Sequence, residues 1–237
     1  MARRAVVAEC RFCGLTRKLC RSHIIPEWAY RPIYDSRSTA IRYSYPHRAR
    51  RKVQVGHREY LLCEDCEPHF ERIERAFRDF WAADGRFPSV LDRQYLQISG
   101  IDYANTSLFL LSILWRAHFA KDQMFSAVDL GPHLDPIRAL LSKADARILA
   151  KYPIYSFALR DPDDKSLAKW FVFTPIRCRT DGSWNYEVGL LGCAWKIFVS
   201  RSAPHLPERC RLSSHGTITL PVVDYDTYPA IQHLLGP

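Results

Sequence analysis

Two C-x-x-C pairs, Cys10–Cys13 and Cys63–Cys66, constrain this 237-residue chain more than any other feature. Each pair lets one tight turn present two thiolates to the same ion. Two such turns supply the four soft ligands that tetrahedral Zn²⁺ takes. In a long chain, cysteines paired this way read as a metal site rather than a disulfide framework. The spacing therefore predicts a structural Zn²⁺ held by Cys10, Cys13, Cys63 and Cys66. The 49 residues between the pairs exceed a short zinc-ribbon spacing, so a hairpin and a loop are expected between them. Cys20 is a conceivable substitute ligand, but six residues separate it from Cys13 and it makes no such turn. Cys178, Cys193 and Cys210 are scattered, and the three are expected to be small buried hydrophobes.

The chain is long enough to bury a sizeable core. Its 47% hydrophobic and 25% charged residues are those of a folded protein. The longest apolar run, LFLLSILW at 108–115, stops at Arg116, well short of the roughly 20 residues that span a bilayer. The opening MARRAVVAEC has too few apolar residues for the core of a signal peptide. A cytoplasmic location and no membrane partner are expected.

The net charge of +9 is unevenly distributed. Residues 1–60 carry 14 Lys or Arg against 4 Asp or Glu, whereas residues 61–237 carry 20 against 21. A polyanion-binding surface thus belongs to the N-terminal segment. Residues 31–52, rich in Arg, Tyr and Ser, read as a basic loop, with Arg42, Arg48, Arg50, Arg51 and Lys52 as candidate nucleic-acid contacts. The plain alternative is that these cations are merely solvated.

Residues 10–82 look like one unit. RKLCRSHII reads as a strand closed by Pro26, which restricts Ile25 to extended geometry. VQVGHREYLLC (53–63) has strand character, with Gly56 at a bulge or bend. In the segment that follows, Pro68 suits a first helical turn, and Phe70, Ile73, Phe77 and Trp81 recur at helical spacing. Glu71–Arg75 and Glu74–Arg78 are i,i+4 pairs that would support this helix.

Farther on, YLQISGIDY suggests a strand and 106–125 a buried helix. DPIRALLSKADARILA (135–150) suggests a third helix with Asp135 as its cap. YSFALR, KWFVFTPI, WNYEVGLL, AWKIFVS and TITLPVV, separated by turns such as TDGS, predict a small antiparallel sheet packed on the helices. Neither a G-x-S-x-G elbow nor a phosphate-cradling glycine loop is present.

C-x-x-C, then S-H-I-I-P, then L-L-C-E-D-C-E opening a helix resembles the zinc-bearing, treble-clef branch of the HNH (ββα-metal, His-Me finger) endonucleases. The likeness covers about residues 8–82, a third of the chain. It implies an α+β protein with an N-terminal treble-clef zinc ββα module (8–82), followed by a helical and antiparallel-sheet domain (83–237) whose role the sequence does not name. It also implies His23 as the general base of metal-dependent DNA cleavage and a catalytic Mg²⁺ or Mn²⁺. At the family's cation-binding positions this sequence has Ser22, where Asp is common, and Glu67, where His or Asn is common. The nearby carboxylates and imidazoles offer Glu67 first, Glu59 second and His69 third, with His57 also in the segment before the second pair. A histidine base, a hard cation and basic side chains are also what phosphodiester hydrolysis requires on chemical grounds. The rival reading is a catalytically inactive zinc-finger module that binds nucleic acid or a protein, and the second domain is a candidate surface for a protein partner.

Overall fold

The computed structural model describes residues 5–37, 39–44, 49–53, 56–200 and 205–235. The chain begins with β1 (Val7–Glu9) and β2 (Thr16–His23), antiparallel strands that flank the first C-x-x-C turn. Gly14, at φ +76°, makes that turn by taking a left-handed conformation that costs glycine little. After Pro26 come a short helix α1 (Glu27–Tyr30), a 3₁₀ turn at 31–33, and a two-stranded hairpin of β3 (Ala40–Ser44) and β4 (Ala49–Val53). β5 (Arg58–Cys63) pairs with β2, completing a sheet in the order β1-β2-β5. Helix α2 (Glu67–Trp81) follows at once.

The basic segment is therefore not the loop expected over 31–52. Within it, β3 and β4 pair as a two-stranded ribbon whose register sets Arg42 opposite Arg51 and Ile41 opposite Lys52. β1 was not expected either. Helix α2 matches its periodicity: Phe70, Ile73, Phe77 and Trp81 are all at most 5% exposed. Burial of that kind is worth about 1.5–3 kcal/mol per large side chain. Of the two expected i,i+4 pairs, Glu71–Arg75 forms at 3.0 Å. Glu74 instead turns inward to Arg116, and Arg78 pairs with Asp79, because a buried guanidinium is a stronger partner for Glu74 than an exposed one.

Strand β6 (Tyr95–Ser99) leads to α3 (Tyr103–Phe119), where Asp102 accepts the Asn105 N–H as cap. Every residue from Thr106 to Ala117 is buried. The helix stops before the expected 125, since Ala120 is extended and Asp122 caps a separate 3₁₀ turn at 123–125. The helix expected over 135–150 is two, α4 (Leu134–Ser142) and α5 (Ala146–Leu149), because Lys143 is extended and Asp145 caps the second. Asp135 lies inside the first turn of α4, not at its cap.

β7 (Ile154–Arg160), β8 (Phe173–Thr180), β9 (Ser183–Leu190), β10 (Cys193–Phe198) and β11 (Thr217–Asp224) precede a last helix, α6 (Pro229–Leu235). KWFVFTPI becomes strand only from Phe173. The five strands and β6 form one sheet, in the order β6-β11-β7-β10-β9-β8. It is antiparallel except where β11 runs parallel to β7. The Asp181–Gly182 turn joining β8 and β9 has positive φ at both residues, as a tight hairpin requires.

The protein is thus a mixed α/β structure, with its apolar core continuous across residue 82. Phe77 of α2 stacks on Phe109 of α3 at 3.9 Å, and Trp81 meets Trp195 of β10 edge-on at 4.8 Å. Trp28 of α1 packs near both Phe77 and Phe109. Among the described residues no helix is long and apolar enough to cross a membrane.

Candidate metal centre and active site

Pairing of β2 with β5 brings the two C-x-x-C turns together. Cys63 stands opposite Leu19, and Arg11 N–H donates to Leu61 O at 2.9 Å, which pins the first turn against β5. The sulfurs of Cys10, Cys13, Cys63 and Cys66 all lie within 4.8 Å of one another, and Cys13 and Cys63 are 3.9 Å apart. A tetrahedron with metal–sulfur bonds of about 2.3 Å has edges of about 3.8 Å, so the cluster has the size of a Zn²⁺ site. The Cys63 N–H donates to Cys10 Sγ at 3.3 Å, the kind of support a thiolate ligand receives. Burial pushes the thiols of Cys10 and Cys66 up, and a bound dication reverses that preference by selecting the thiolate.

Cys20 stays outside the cluster, half-buried on β2. Cys193 and Cys210 are buried as expected, but Cys178 is only half-buried, beside Glu187.

His23 ends β2 directly across from Arg58 on β5. Arg58 Nε donates to His23 Nε2 at 2.7 Å, and Glu27 Oε2 lies 3.2 Å from the same nitrogen. Glu27 Oε1 accepts from the Tyr34 hydroxyl at 2.6 Å, and Oε2 also receives the Gly56 N–H at 3.2 Å. Gly56 is needed here, since a Cβ would sit 2.8 Å from the Tyr30 ring. It lies between β4 and β5, outside either strand. Burial, reinforced by the Arg58 cation, holds His23 below the ordinary imidazole value against the opposing pull of Glu27. Burial alone would raise Glu27, but Tyr34, Gly56 and His23 overcome it and hold the carboxyl low.

The residue before His23, Ser22, is fully buried and donates from Oγ to Glu67 Oε2 at 2.7 Å. The two positions that depart from the HNH pattern therefore touch each other. An aspartate at 22 would set a second buried carboxylate against Glu67, whereas serine supplies a donor. Burial raises Glu67, partly offset by Ser22 and the Arg116 cation.

The other candidates are engaged elsewhere, although Glu59 stands opposite Ser22 across the β2–β5 pair. Glu59 accepts the Lys121 N–H at 3.2 Å. His69 Nε2 meets Leu141 O at 2.5 Å, with its ring stacked on Phe12. His57 Nδ1 lies 3.1 Å from Asp122. Among the described residues, the four cysteines are the only set of three or more His, Cys, Asp or Glu side chains with ligand atoms this close together. His23, Glu59, Glu67 and His69 form no such set.

Of the basic candidates, Lys52 is exposed, and Arg42, Arg50 and Arg51 fall on the ribbon strands. Arg48 lies outside the described residues.

Sequence reasoning missed Glu27, Tyr34 and Arg58. Glu27 follows His23 by four residues, but Pro26 between them hides a shared face. Arg58 becomes visible only through the β2–β5 register. Comparison with protein-family models, curated proteins and solved structures finds no match for the chain.

Proposed function

We propose that the chain is a metal-dependent endonuclease of the HNH type that hydrolyses DNA phosphodiester bonds, with His23 as general base. One observation carries this reading. The strand that ends in His23 is clipped to helix α2 both by the four-cysteine cluster and by the Ser22–Glu67 hydrogen bond. A histidine kept neutral by its surroundings thus stands one residue from a contact with a half-buried carboxylate at a helix head. The turn, strands and helix fit a treble clef around a structural Zn²⁺, which would fix the base relative to the carboxylate.

A neutral imidazole takes a proton from an attacking water, work worth about 10²–10⁴ in rate. Glu67 is the residue that would hold Mg²⁺ or Mn²⁺, ahead of Glu59 and His69, which are engaged with backbone groups. One carboxylate suits such an ion, which commonly keeps several waters and completes its shell with substrate phosphate. When bound, the ion neutralises charge that develops on the phosphorane and the leaving oxygen. The Arg42–Lys52 ribbon supplies sequence-independent contacts to the backbone.

The test is cleavage of plasmid, single-stranded DNA and RNA by zinc-loaded protein supplied with Mg²⁺ or Mn²⁺. DNA cleavage that needs the added ion, and that falls in Glu67→Gln but is partly restored by excess metal, is expected. Absence of cleavage of any of these with any divalent ion overturns the reading.

A further inference from the structure

We propose that Arg58 and Glu27 compete for the Nε2 atom of His23, and that a substrate phosphate settles the competition by drawing Arg58 away. The inference rests on His23 being the base and assigns Arg58 and Glu27 as positioning residues.

A ring nitrogen of neutral histidine either donates a hydrogen bond or accepts one. Arg58 Nε is always a donor, so its 2.7 Å contact requires a lone pair on Nε2 and places the ring proton on Nδ1. Glu27 is held below the ordinary carboxylate range, so it is an acceptor, and its 3.2 Å contact requires a proton on Nε2. The two bonds exclude each other.

With Arg58 in place, the one lone pair of the ring is already used, and the imidazole cannot take a proton from water. With Arg58 gone, Nε2–H turns to Glu27 and the lone pair moves to Nδ1, which makes no other hydrogen bond among the described residues. That second state is the base.

Three features decide which partner moves. Glu27 is fastened by Tyr34 and by the Gly56 backbone, so its carboxylate stays put. The Arg58 side chain is 35% exposed and approaches Glu27 only to 3.9 Å, so among the described residues little besides His23 holds its head. A phosphate offers a guanidinium a two-pronged, charge-assisted partner, stronger than a neutral ring nitrogen. DNA phosphate would therefore convert a resting histidine into a base at the moment of binding.

The experiment is long-range ¹H–¹⁵N NMR of the His23 ring in zinc-loaded protein without Mg²⁺ or Mn²⁺, at a pH well above the imidazole range. Free wild type should carry the proton on Nδ1. A short DNA duplex should move it to Nε2, and Arg58→Met should show it on Nε2 without DNA while keeping its zinc. An Nε2 proton in free wild type, or an unchanged tautomer in Arg58→Met, overturns the competition. A tautomer that answers to Arg58→Met but not to bound DNA overturns the role of the phosphate. The readout needs no cleavage, so it is separate from the nuclease assay. A tautomer change without cleavage under any metal sinks the nuclease reading alone, and cleavage with Nε2–H throughout sinks this inference alone.

Discussion

Arg116 Nη1, on the buried helix α3, donates to the backbone carbonyl of His23 at 2.8 Å. The same nitrogen meets Glu74 of α2 at 2.5 Å, and Nε and Nη2 reach Ser112. One guanidinium thus ties the end of β2 to both long helices. Its side chain is 2% exposed and that of Glu74 17%. Removing one partner of a buried ion pair leaves the other charge uncompensated. Arg116→Met should lower unfolding stability by about 3–5 kcal/mol in urea melts, with the Arg116→Met/Glu74→Leu double variant recovering part of the loss. A loss below about 1 kcal/mol would show that the pair holds nothing together.

Zinc should be part of folding in the N-terminal segment. The sheet and α1 are anchored in the core by Ile24, Ile25, Leu61 and Leu62, but the two C-x-x-C turns have little besides their cysteines to hold them together, so metal-binding energy should appear as folding energy there. Elemental analysis of chelator-washed, folded protein should find about one zinc per chain. Cys63→Ser should lose it and expose residues 8–66 to protease. Metal-free protein with an unchanged N-terminal protease pattern would contradict this.

The basic ribbon makes a salt-dependence prediction. Each phosphate contact contributes about 0.9 to the slope of log K against log salt for duplex DNA. Neutralising Arg42, Arg48, Arg50, Arg51 and Lys52 together should flatten that slope by up to about 4.5 and weaken binding to all sequences alike. Equal slopes in wild type and variant would mean that these side chains are only solvated.

His23 has a pH signature. Its folded value is held below the ordinary 6.5, so over that window the unfolded chain binds more protons than the folded one. Stability therefore rises with pH there. The contribution of His23 is complete above about 6.5 and is lost as pH falls through the lowered folded value. NMR titration should give a His23 midpoint below 6.5, and wild type should lose stability relative to His23→Gln as pH drops through that range. A midpoint at or above 6.5 would mean that Glu27, not burial and Arg58, governs the ring.

Local patterns were legible in the sequence, and long-range pairings were not. The four-cysteine cluster followed from two spacings, and α2 from the period of Phe70, Ile73, Phe77 and Trp81. The inward turn of Glu74 could not be read, because its partner lies 42 residues away and an exposed i,i+4 arginine was the local alternative. The His23–Arg58 contact depends on a strand register set across 35 residues. The β3–β4 ribbon was hidden by its arginines, which obscure the apolar alternation by which strands are recognised. The parallel β11–β7 pair joins strands far apart in the chain, which no turn signal announces.

If His23 performs the chemistry, its side chain is needed for cleavage and not for the fold. Replacing it with alanine removes the base and none of the four thiolates, so zinc content and fold should be unchanged in His23→Ala, and DNA affinity should not fall. Cleavage in Mg²⁺ or Mn²⁺ should fall by about 10²-fold or more, the scale of lost general-base catalysis. A His23→Ala protein that keeps its zinc and cuts DNA as fast as wild type would show that His23 is a structural residue and not the base.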